Sequence, residues 1–330
     1  MDLQIRGISK TYSKGVQALK DVTLTIPVGM YGLLGPNGAG KSTLMRILAT
    51  LQEADSGSAI LRDPSLPSGH VDVLRQKDEV RKTLGYLPQE FGVYPNVSAE
   101  SLLDHFALLE GIAERRARKD VVEALLHQVN LWEVRKQKLG GYSGGMRQRF
   151  GVAVALLGSP KLMIVDEPTA GLDPAERMRF LNLLSELGEN CVVLLSTHIV
   201  EDVSELCTRM AIIDRGEILL EAETMHAVDD LRGRIWRRVI SREELPGLER
   251  ELAIISTRLL AGRTVARVYG DALPGPGFES VEPDLDDVYF CTLAGHIGRR
   301  HEGSPRHGAV ALPADARSDT HGRHSEVAKS

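Results

Sequence analysis

The chain has 330 residues, of which 42% are hydrophobic and 26% are charged. This composition is typical of globular proteins and excludes a disordered, collagen-like or disulfide-stapled small protein, while the length predicts about two domains. The 40 Lys and Arg residues are outnumbered by 45 Asp and Glu residues, so the net charge is -5. This balance argues against a nucleic-acid-binding protein, which would be basic. The three cysteines are an odd, sparse set that favours a reducing cytosol.

Two features bear on membranes. The longest apolar stretches, at 152–157 and 191–195, are far shorter than the roughly 20 residues that span a bilayer. The first ten residues contain no apolar core of the kind found in signal peptides. We therefore expect neither a signal peptide nor a transmembrane helix, so that another chain would have to provide any membrane span.

The first 30 residues alternate apolar and polar side chains around a turn at 13–15, and this period of two predicts β-strands. A short apolar run at 30–34 then ends in the glycine-rich segment GPNGAG, and the following KSTLMRILATL predicts a helix. A strand, a glycine loop and a helix in this order place a helix N-terminus where it can receive phosphate.

The segment that links this strand and helix fits the phosphate-loop pattern G-x-x-x-x-G-K-[ST]. Its glycines let successive backbone N–H groups turn toward phosphate oxygens, Lys41 can reach the β- and γ-phosphates, and the Ser42 hydroxyl can ligate Mg²⁺. The ordinary alternative is a glycine turn that only caps a helix. The residues of this loop are Gly35, Pro36, Asn37, Gly38, Ala39, Gly40, Lys41 and Ser42.

The middle of the chain, from Ser98 to Val129, is predicted to be helical, and α/β alternation returns from Met146. Two acids follow the apolar run LMIV, which reads as a buried strand. Ligands lie outside the carboxyl ends of parallel strands, so Asp166 is suited to hold Mg²⁺ through water and Glu167 to polarise a water for attack on a γ-phosphate. Taken alone, an acid after a strand is usually a helix N-cap.

A second candidate anion site is the step Ser143, Gly144 and Gly145, which opens a predicted helix with backbone donors and a helix dipole. The ordinary alternative is a flexible turn. One chain gains little from two separate phosphate-binding helix starts unless they meet across a dimer. A further helix is predicted after Asp173, which can serve as its N-cap.

Together these motifs resemble the nucleotide-binding subunit of an ATP-binding-cassette (ABC) transporter, over roughly residues 3–222. The loop resembles Walker A, the strand ending at Glu167 resembles Walker B, and the Ser143 step resembles the family signature. The signature departs from the usual pattern at its ends, where Tyr142 and Met146 replace Leu and Gln. The contacts made by Met146, the fifth residue of the signature, are therefore left open.

The resemblance also implies roles for residues that no local pattern marks. Gln89 resembles the Q-loop glutamine, His198 the switch histidine, and Tyr12 the aromatic residue that stacks on adenine. Each has an ordinary alternative: a surface-loop glutamine, a structural histidine, or a tyrosine packed in a sheet. The implied catalytic residues are Glu167, His198 and Gln89; the metal ligands are Ser42, Gln89 and Asp166; and the ATP contacts are Tyr12, the loop residues with Thr43, the step Ser143, Gly144 and Gly145, and Asp173 of the D-loop.

The implied fold is α/β, a P-loop NTPase of the ABC ATPase type with a mixed sheet core and an N-terminal antiparallel β subdomain. We expect the nucleotide-binding domain to span 1–225, with a helical subdomain inserted at about 95–158. A small C-terminal α+β extension should follow at 226–295. The last segment, 296–330, has no aromatic residue and is expected to be a disordered tail.

The resemblance implies a head-to-tail dimer, as a homodimer or pseudo-dimer, with two ATP molecules and Mg²⁺ between the phosphate loop of one subunit and Ser143 of the other. It further implies a peripheral position on the cytoplasmic face of the membrane, with no nucleic acid partner expected. A separate multispanning permease would dock around 89–96 and choose the cargo. The sequence EPDLDDVYF resembles the ending of exporter ATPases of the drug, antibiotic and polysaccharide (ABC-2) group, which favours export.

Two other classes remain as alternatives. A non-transport ABC protein acting on ribosomes or in DNA repair normally has two cassettes or a long coiled-coil insertion. A P-loop GTPase or small-molecule kinase would keep the loop at 35–42 but has no use for Ser143, and we find no N-K-x-D guanine-binding motif.

Overall fold

The computed structural model describes residues 1–13, 15–188 and 191–298, and these form two compact units. The first unit contains Met1–Arg232 together with the described chain from Pro283, and the second contains Gly233–Glu282. Most of the expected tail, from 299 onward, lies outside the described residues. In no described part of the chain is there a helix with the length and apolar character that crossing a bilayer requires.

The elements of the chain alternate as expected for an α/β protein. In order, they are β1 (Asp2–Thr11), β2 (Gln17–Pro27), β3 (Gly29–Leu34), α1 (Lys41–Leu48), β4 (Ser56–Arg62), β5 (His70–Asp72), α2 (Lys77–Arg81), β6 (Leu84–Leu87), α3 (Ala99–Leu109), α4 (Arg115–Gln128), α5 (Gly144–Leu156), β7 (Leu162–Asp166), α6 (Pro174–Leu187), β8 (Val192–Thr197), α7 (Val200–Leu206), β9 (Arg209–Asp214), β10 (Glu217–Glu223), α8 (Thr224–Asp229), β11 (Ile235–Ile240), α9 (Leu245–Glu251), β12 (Ala253–Leu260), β13 (Arg263–Tyr269), β14 (Glu279–Ser280) and α10 (Leu285–Leu293).

The N-terminal β subdomain is an antiparallel sheet with the strand order β2-β1-β4-β5. The alternation read from the sequence places Leu3, Ile5 and Ile8 in the core, where each is almost fully buried. These side chains share one hydrophobic cluster with Leu44 and Leu48 of α1. The predicted β subdomain is therefore confirmed, and it packs against the helix that follows the glycine loop.

The central sheet has the order β10-β9-β3-β8-β7-β6, in which β10 alone runs antiparallel to its neighbour. It is the expected mixed sheet. Every residue of β7 and β8 is buried, as in parallel strands covered on both faces. Because β3, β7 and β8 are parallel and in register, their carboxyl ends meet at one edge, where Leu34 pairs with Thr197 and Asp166 pairs with Ser196.

The helical subdomain consists of α3, α4 and α5, which pack on one another. The helical region predicted at 98–129 is two helices, because Gly111 takes the left-handed conformation (φ 90) after α3. Ser98 caps α3 through the Ser101 N–H, and Glu114 caps α4. As predicted, Asp173 caps α6, accepting a hydrogen bond from the Glu176 N–H at 2.9 Å.

The second unit is an antiparallel sheet with the order β12-β13-β11-β14 and the helix α9. Ile254, Val268 and Phe278 form its small core, with Trp236 packed against them. The unit contains both strands and a helix, as expected of an α+β extension.

The expected extension at 226–295 differs from the observed units at both of its ends. Helix α8 lies in the first unit, and so does α10, which contacts α7 and α8. The reason is apolar burial, since Val288, Phe290 and Cys291 of α10 are buried there. Among the described residues, the separate unit consists of Gly233–Glu282.

Candidate active site

The glycine loop between β3 and α1 has a backbone that only glycine accommodates at Gly40. This residue has a φ of 109, and a Cβ atom there would lie 2.5 Å from the carbonyl oxygen of Ala18. Gly38 is also left-handed, with a φ of 82. The chain can therefore curl tightly into the N-terminus of α1, the geometry in which backbone N–H groups bind phosphate.

Lys41 lies over this loop with only 3% of its surface exposed. Its Nζ donates to the carbonyl oxygens of Gly35 at 2.7 Å and Pro36 at 3.2 Å, and it lies 3.4 Å from Oε1 of Glu167. Burial lowers the pKa of Lys41, and the charges of Glu167 and Asp166 oppose that shift. The ammonium group is thus held in place by partners that phosphate oxygens can replace.

Asp166 ends β7 and is also buried. The Ser42 hydroxyl donates to its Oδ1 at 3.4 Å, and the Ser196 hydroxyl donates to the same oxygen. A hydroxyl and a carboxylate are hard oxygen ligands, and Mg²⁺ is commonly bound by one or two carboxylates together with substrate phosphates. The donor set of Ser42 and Asp166 therefore fits Mg²⁺.

Glu167 brings together the three residues that we expected to be catalytic. Its Oε2 lies 3.1 Å from Nδ1 of His198 and accepts a hydrogen bond from Nε2 of Gln89 at 3.4 Å. The backbone of Glu167 is left-handed (φ 46), a conformation that costs a non-glycine residue about 1–3 kcal/mol. Its N–H donates to the Ser196 carbonyl oxygen at 2.9 Å, which helps to hold the residue there.

Tyr12 lies beside the start of α1 and is 40% exposed. Its hydroxyl is 3.1 Å from Oγ1 of Thr43 and also bonds Gln52. The hydrogen bond to Thr43 is the main cause of a lowered pKa for Tyr12. The exposed part of the side chain leaves an aromatic surface next to the loop.

The signature segment lies at the start of α5. Ser143 is the N-cap, and its Oγ accepts a hydrogen bond from the Met146 N–H at 3.1 Å. A Cβ on Gly145 would lie 2.4 Å from Oε2 of Glu176, so a larger residue at this position would displace the Glu176 side chain. Among the residues that the structure describes, no hydrogen bond or ion pair joins Ser143 to the cluster around Lys41. The two candidate phosphate sites are therefore built separately within one chain.

The departure at Tyr142 has a packing explanation. The side chain is 3% exposed, and its hydroxyl donates to the Val134 carbonyl oxygen at 3.0 Å. Burial raises the pKa of Tyr142. Tyr142 therefore occupies an interior position, and its hydroxyl has a hydrogen-bond partner. Ser143 and the two glycines that follow it form the N-terminus of α5.

Behind the site lies a group of polar residues that we did not predict from the sequence: Thr169, Arg177, Ser196, Thr197 and Asp202. Asp202 is fully buried, although it lies in the short helix α7 that we did not predict. The available signal was weak, because an acid in the first turn of a helix is ordinarily a favourable surface charge.

Residues 19–170 match the family model described as ABC transporter. The uncharacterized ABC transporter ATP-binding protein YxlF of Bacillus subtilis is 31% identical over 87% of this chain and 98% of its own length. The daunorubicin/doxorubicin resistance ATP-binding protein DrrA of Streptomyces peucetius is 35% identical over 89% of this chain and 92% of its own.

Two solved structures resemble the fold closely. One is an ATP-binding subunit of an ABC transporter, with a TM-score of 0.60, 26% identity, and coverage of 70% of this chain and 93% of that chain. The other is a dimeric ATP-binding cassette in a post-hydrolysis state bound to ADP and Pi, with a TM-score of 0.58, 25% identity, and coverage of 67% and 98%.

Proposed function

This chain belongs to the ABC transporter family of ATP-binding proteins and is an ATPase, and on that basis we propose that two copies close on two ATP molecules and drive a separate multispanning permease. The observation that carries the proposal is the convergence of Lys41, Asp166 and Glu167 at one sheet edge, with Gln89 and His198 on Glu167.

Each residue of this cluster has a task in ATP hydrolysis. The loop amides and Lys41 bind the β- and γ-phosphates and offset their charge. Glu167 orients the attacking water and accepts its proton while the bond from the γ-phosphorus to the β-phosphate oxygen breaks. When ATP binds, the ion pair between Lys41 and Glu167 is replaced by contacts between Lys41 and phosphate. This replacement frees the carboxylate to act as a base.

Four other side chains assist. His198 and Gln89 hold the Glu167 carboxylate toward the position of the γ-phosphate. Ser42 and Asp166 would hold Mg²⁺, with Gln89 as a further ligand. When bound, the metal ion would neutralise charge that develops on the β- and γ-phosphate oxygens.

The separation of the two phosphate sites supports the proposed dimer. Ser143, Gly144 and Gly145 begin a helix whose N-terminus attracts an anion, yet they have no bond to the Lys41 cluster in the described chain. A head-to-tail pair places this helix start against the ATP held by the partner's loop. Asp173 begins the neighbouring helix α6 and would meet the same interface.

Export is the direction we favour. It is supported by relatives named for resistance to daunorubicin and doxorubicin and, in Bacillus subtilis, to linearmycin. The permease would choose the cargo and would dock around 89–96, where Tyr94 is 65% exposed. The chain would then lie on the cytoplasmic face of the membrane.

The test starts with the purified full-length chain. We expect the chain to release phosphate from ATP only when Mg²⁺ is present, so chelation with EDTA should stop the reaction. Lys41→Ala should reduce phosphate release to background. A strong preference for GTP, or phosphate transfer to a small acceptor, would favour another class of P-loop protein.

The transporter assignment needs a second experiment. Affinity purification from detergent-solubilised membranes should recover a multispanning permease, and membranes should gain ATPase activity when both proteins are present. Recovery with ribosomes or DNA alone would favour a non-transport ABC protein.

A further inference from the structure

One buried carboxylate behind the site is not used by the mechanism above. Asp202 lies in the first turn of α7 with no exposed surface. A buried carboxylate is unfavourable unless it is paired and hydrogen-bonded. Its partners therefore indicate what this residue does.

Both oxygens of Asp202 are engaged by residues that flank the catalytic groups. Oδ2 accepts hydrogen bonds from the hydroxyls of Thr169 and Thr197. Thr169 lies two residues after Glu167, and Thr197 immediately precedes His198. One carboxylate oxygen thus joins the two segments whose side chains meet at the reacting centre.

The other oxygen joins a third segment. Oδ1 accepts a hydrogen bond from Nε of Arg177 at 2.8 Å, on α6, the helix that begins after Asp173. On the far side of His198, the Ile199 N–H donates to Oγ1 of Thr197 at 2.9 Å. The turn that carries His198 is therefore fixed to the same centre.

We propose that Asp202 is a positioning residue that holds Glu167 and His198 in register for hydrolysis. The left-handed backbone of Glu167 needs such support, because an unfavourable conformation persists only where surrounding contacts determine it. Asp202 has no exposed surface, and it acts through the hydroxyls of Thr169 and Thr197. The inference rests on the proposed role of Glu167 as the base.

The first test separates turnover from nucleotide binding. Thr169→Val removes the hydroxyl with little change in volume and should lower kcat about 10-fold or more, with KM for ATP within about 2-fold. Thr169→Ser, which keeps the hydroxyl, should recover most of kcat. Glu201→Gln removes an exposed charge from the neighbouring position of α7 and serves as the control.

The second test asks whether Asp202 works through Glu167. Asp202→Asn should lower kcat in the wild-type background, yet change the residual rate of Glu167→Gln less than about 2-fold, because the positioned group is already gone. An equal fold-loss in both backgrounds, or a parallel rise in KM, would assign Asp202 a general structural role and overturn the proposal.

These experiments distinguish a failure of the role proposed for Asp202 from a failure of the proposed function. If Asp202→Asn does not fold, Thr169→Val in the two backgrounds gives the same comparison. An inactive wild-type chain would contradict the proposed function. A wild-type rate that Thr169→Val leaves unchanged would overturn the role of Asp202 alone.

Discussion

The Nδ1 atom of His198 lies 3.1 Å from Oε2 of Glu167, and the two residues leave the carboxyl ends of neighbouring parallel strands. Because Asp166 pairs with Ser196 in the β7–β8 register, the residues just beyond these strands meet. The pairing of β7 with β8 thus brings two residues that lie 31 positions apart along the chain to the same edge of the sheet.

Glu167→Gln should lower the rate of ATP hydrolysis at least about 10²-fold, because the amide cannot accept the proton of the attacking water. ATP should still bind, so a dimer with trapped nucleotide should accumulate in size-exclusion chromatography. Glu186→Gln, an exposed substitution on α6, is the control. Near-normal turnover in the Glu167 variant would refute its assignment as the base.

Two inactive variants should restore activity when they are mixed. Lys41→Ala disables the loop of one subunit, and Ser143→Arg blocks the helix start that faces the partner's loop. A heterodimer of the two has one intact site and one doubly altered site. After random mixing we expect about a quarter of wild-type activity if the sites act independently.

The measurement is phosphate release before and after the two inactive proteins are exchanged at equal concentration. Mixing two preparations of Lys41→Ala provides the background. Activity that stays at background in the mixture would mean that both residues serve the same site within one chain.

Tyr12→Ala should weaken ATP binding by about 1–3 kcal/mol, or roughly 5- to 150-fold in Kd, because the aromatic surface beside the loop is lost. Tyr12→Phe keeps the ring and loses only the hydroxyl that bonds Thr43 and Gln52, so its Kd should stay within about 3-fold of wild type. Binding of a fluorescent ATP analogue measures both. Equal losses would assign the effect to the hydroxyl.

The free energy of unfolding should fall as the pH rises above about 9. Burial raises the pKa of Cys191 from 9.0 to about 12 and also raises that of Cys207. The unfolded chain therefore releases these protons first, and the native state loses relative stability. For Cys191 alone we expect about 1.4 kcal/mol by pH 10.

Urea unfolding at pH 7.5 and pH 10 measures this change. The buried tyrosines Tyr31 and Tyr289 shift in the same direction, so the comparison is with Cys191→Ala combined with Cys207→Ala. That variant should lose less stability over the same pH interval. An identical loss in both proteins would show that the thiols stay protonated in the unfolded chain or ionise in the folded one.

The site residues that could be predicted from the sequence are those that lie in short contiguous motifs. Lys41 and Asp166 belong to short patterns whose local geometry carries their chemistry, so a loop and a strand end were enough to find them. Asp202 belongs to no such pattern. Its partners Thr169 and Arg177 lie 33 and 25 positions away, so only the tertiary packing of α7 brings them together.

The same distinction holds for the fold. The alternation in β1 and the cap at Asp173 are local signals, and both elements formed as predicted. Helix α10 was missed, because Leu285–Leu293 follows a small sheet in sequence while its apolar face is covered by α7 and α8. The reason for Tyr142 at the start of the signature could likewise not be predicted, because it depends on the burial of the side chain and on the partner of its hydroxyl.

The return of the chain through α10 decides how the second unit can be removed. A stop codon after Arg232 would delete α10 as well and uncover apolar surface on α7 and α8. Joining 232 to 283 through a short glycine-serine bridge would instead excise the small sheet and leave α10 seated. A protein that keeps the first unit without the second is therefore obtained by an internal deletion in the gene that leaves its 3′ end intact.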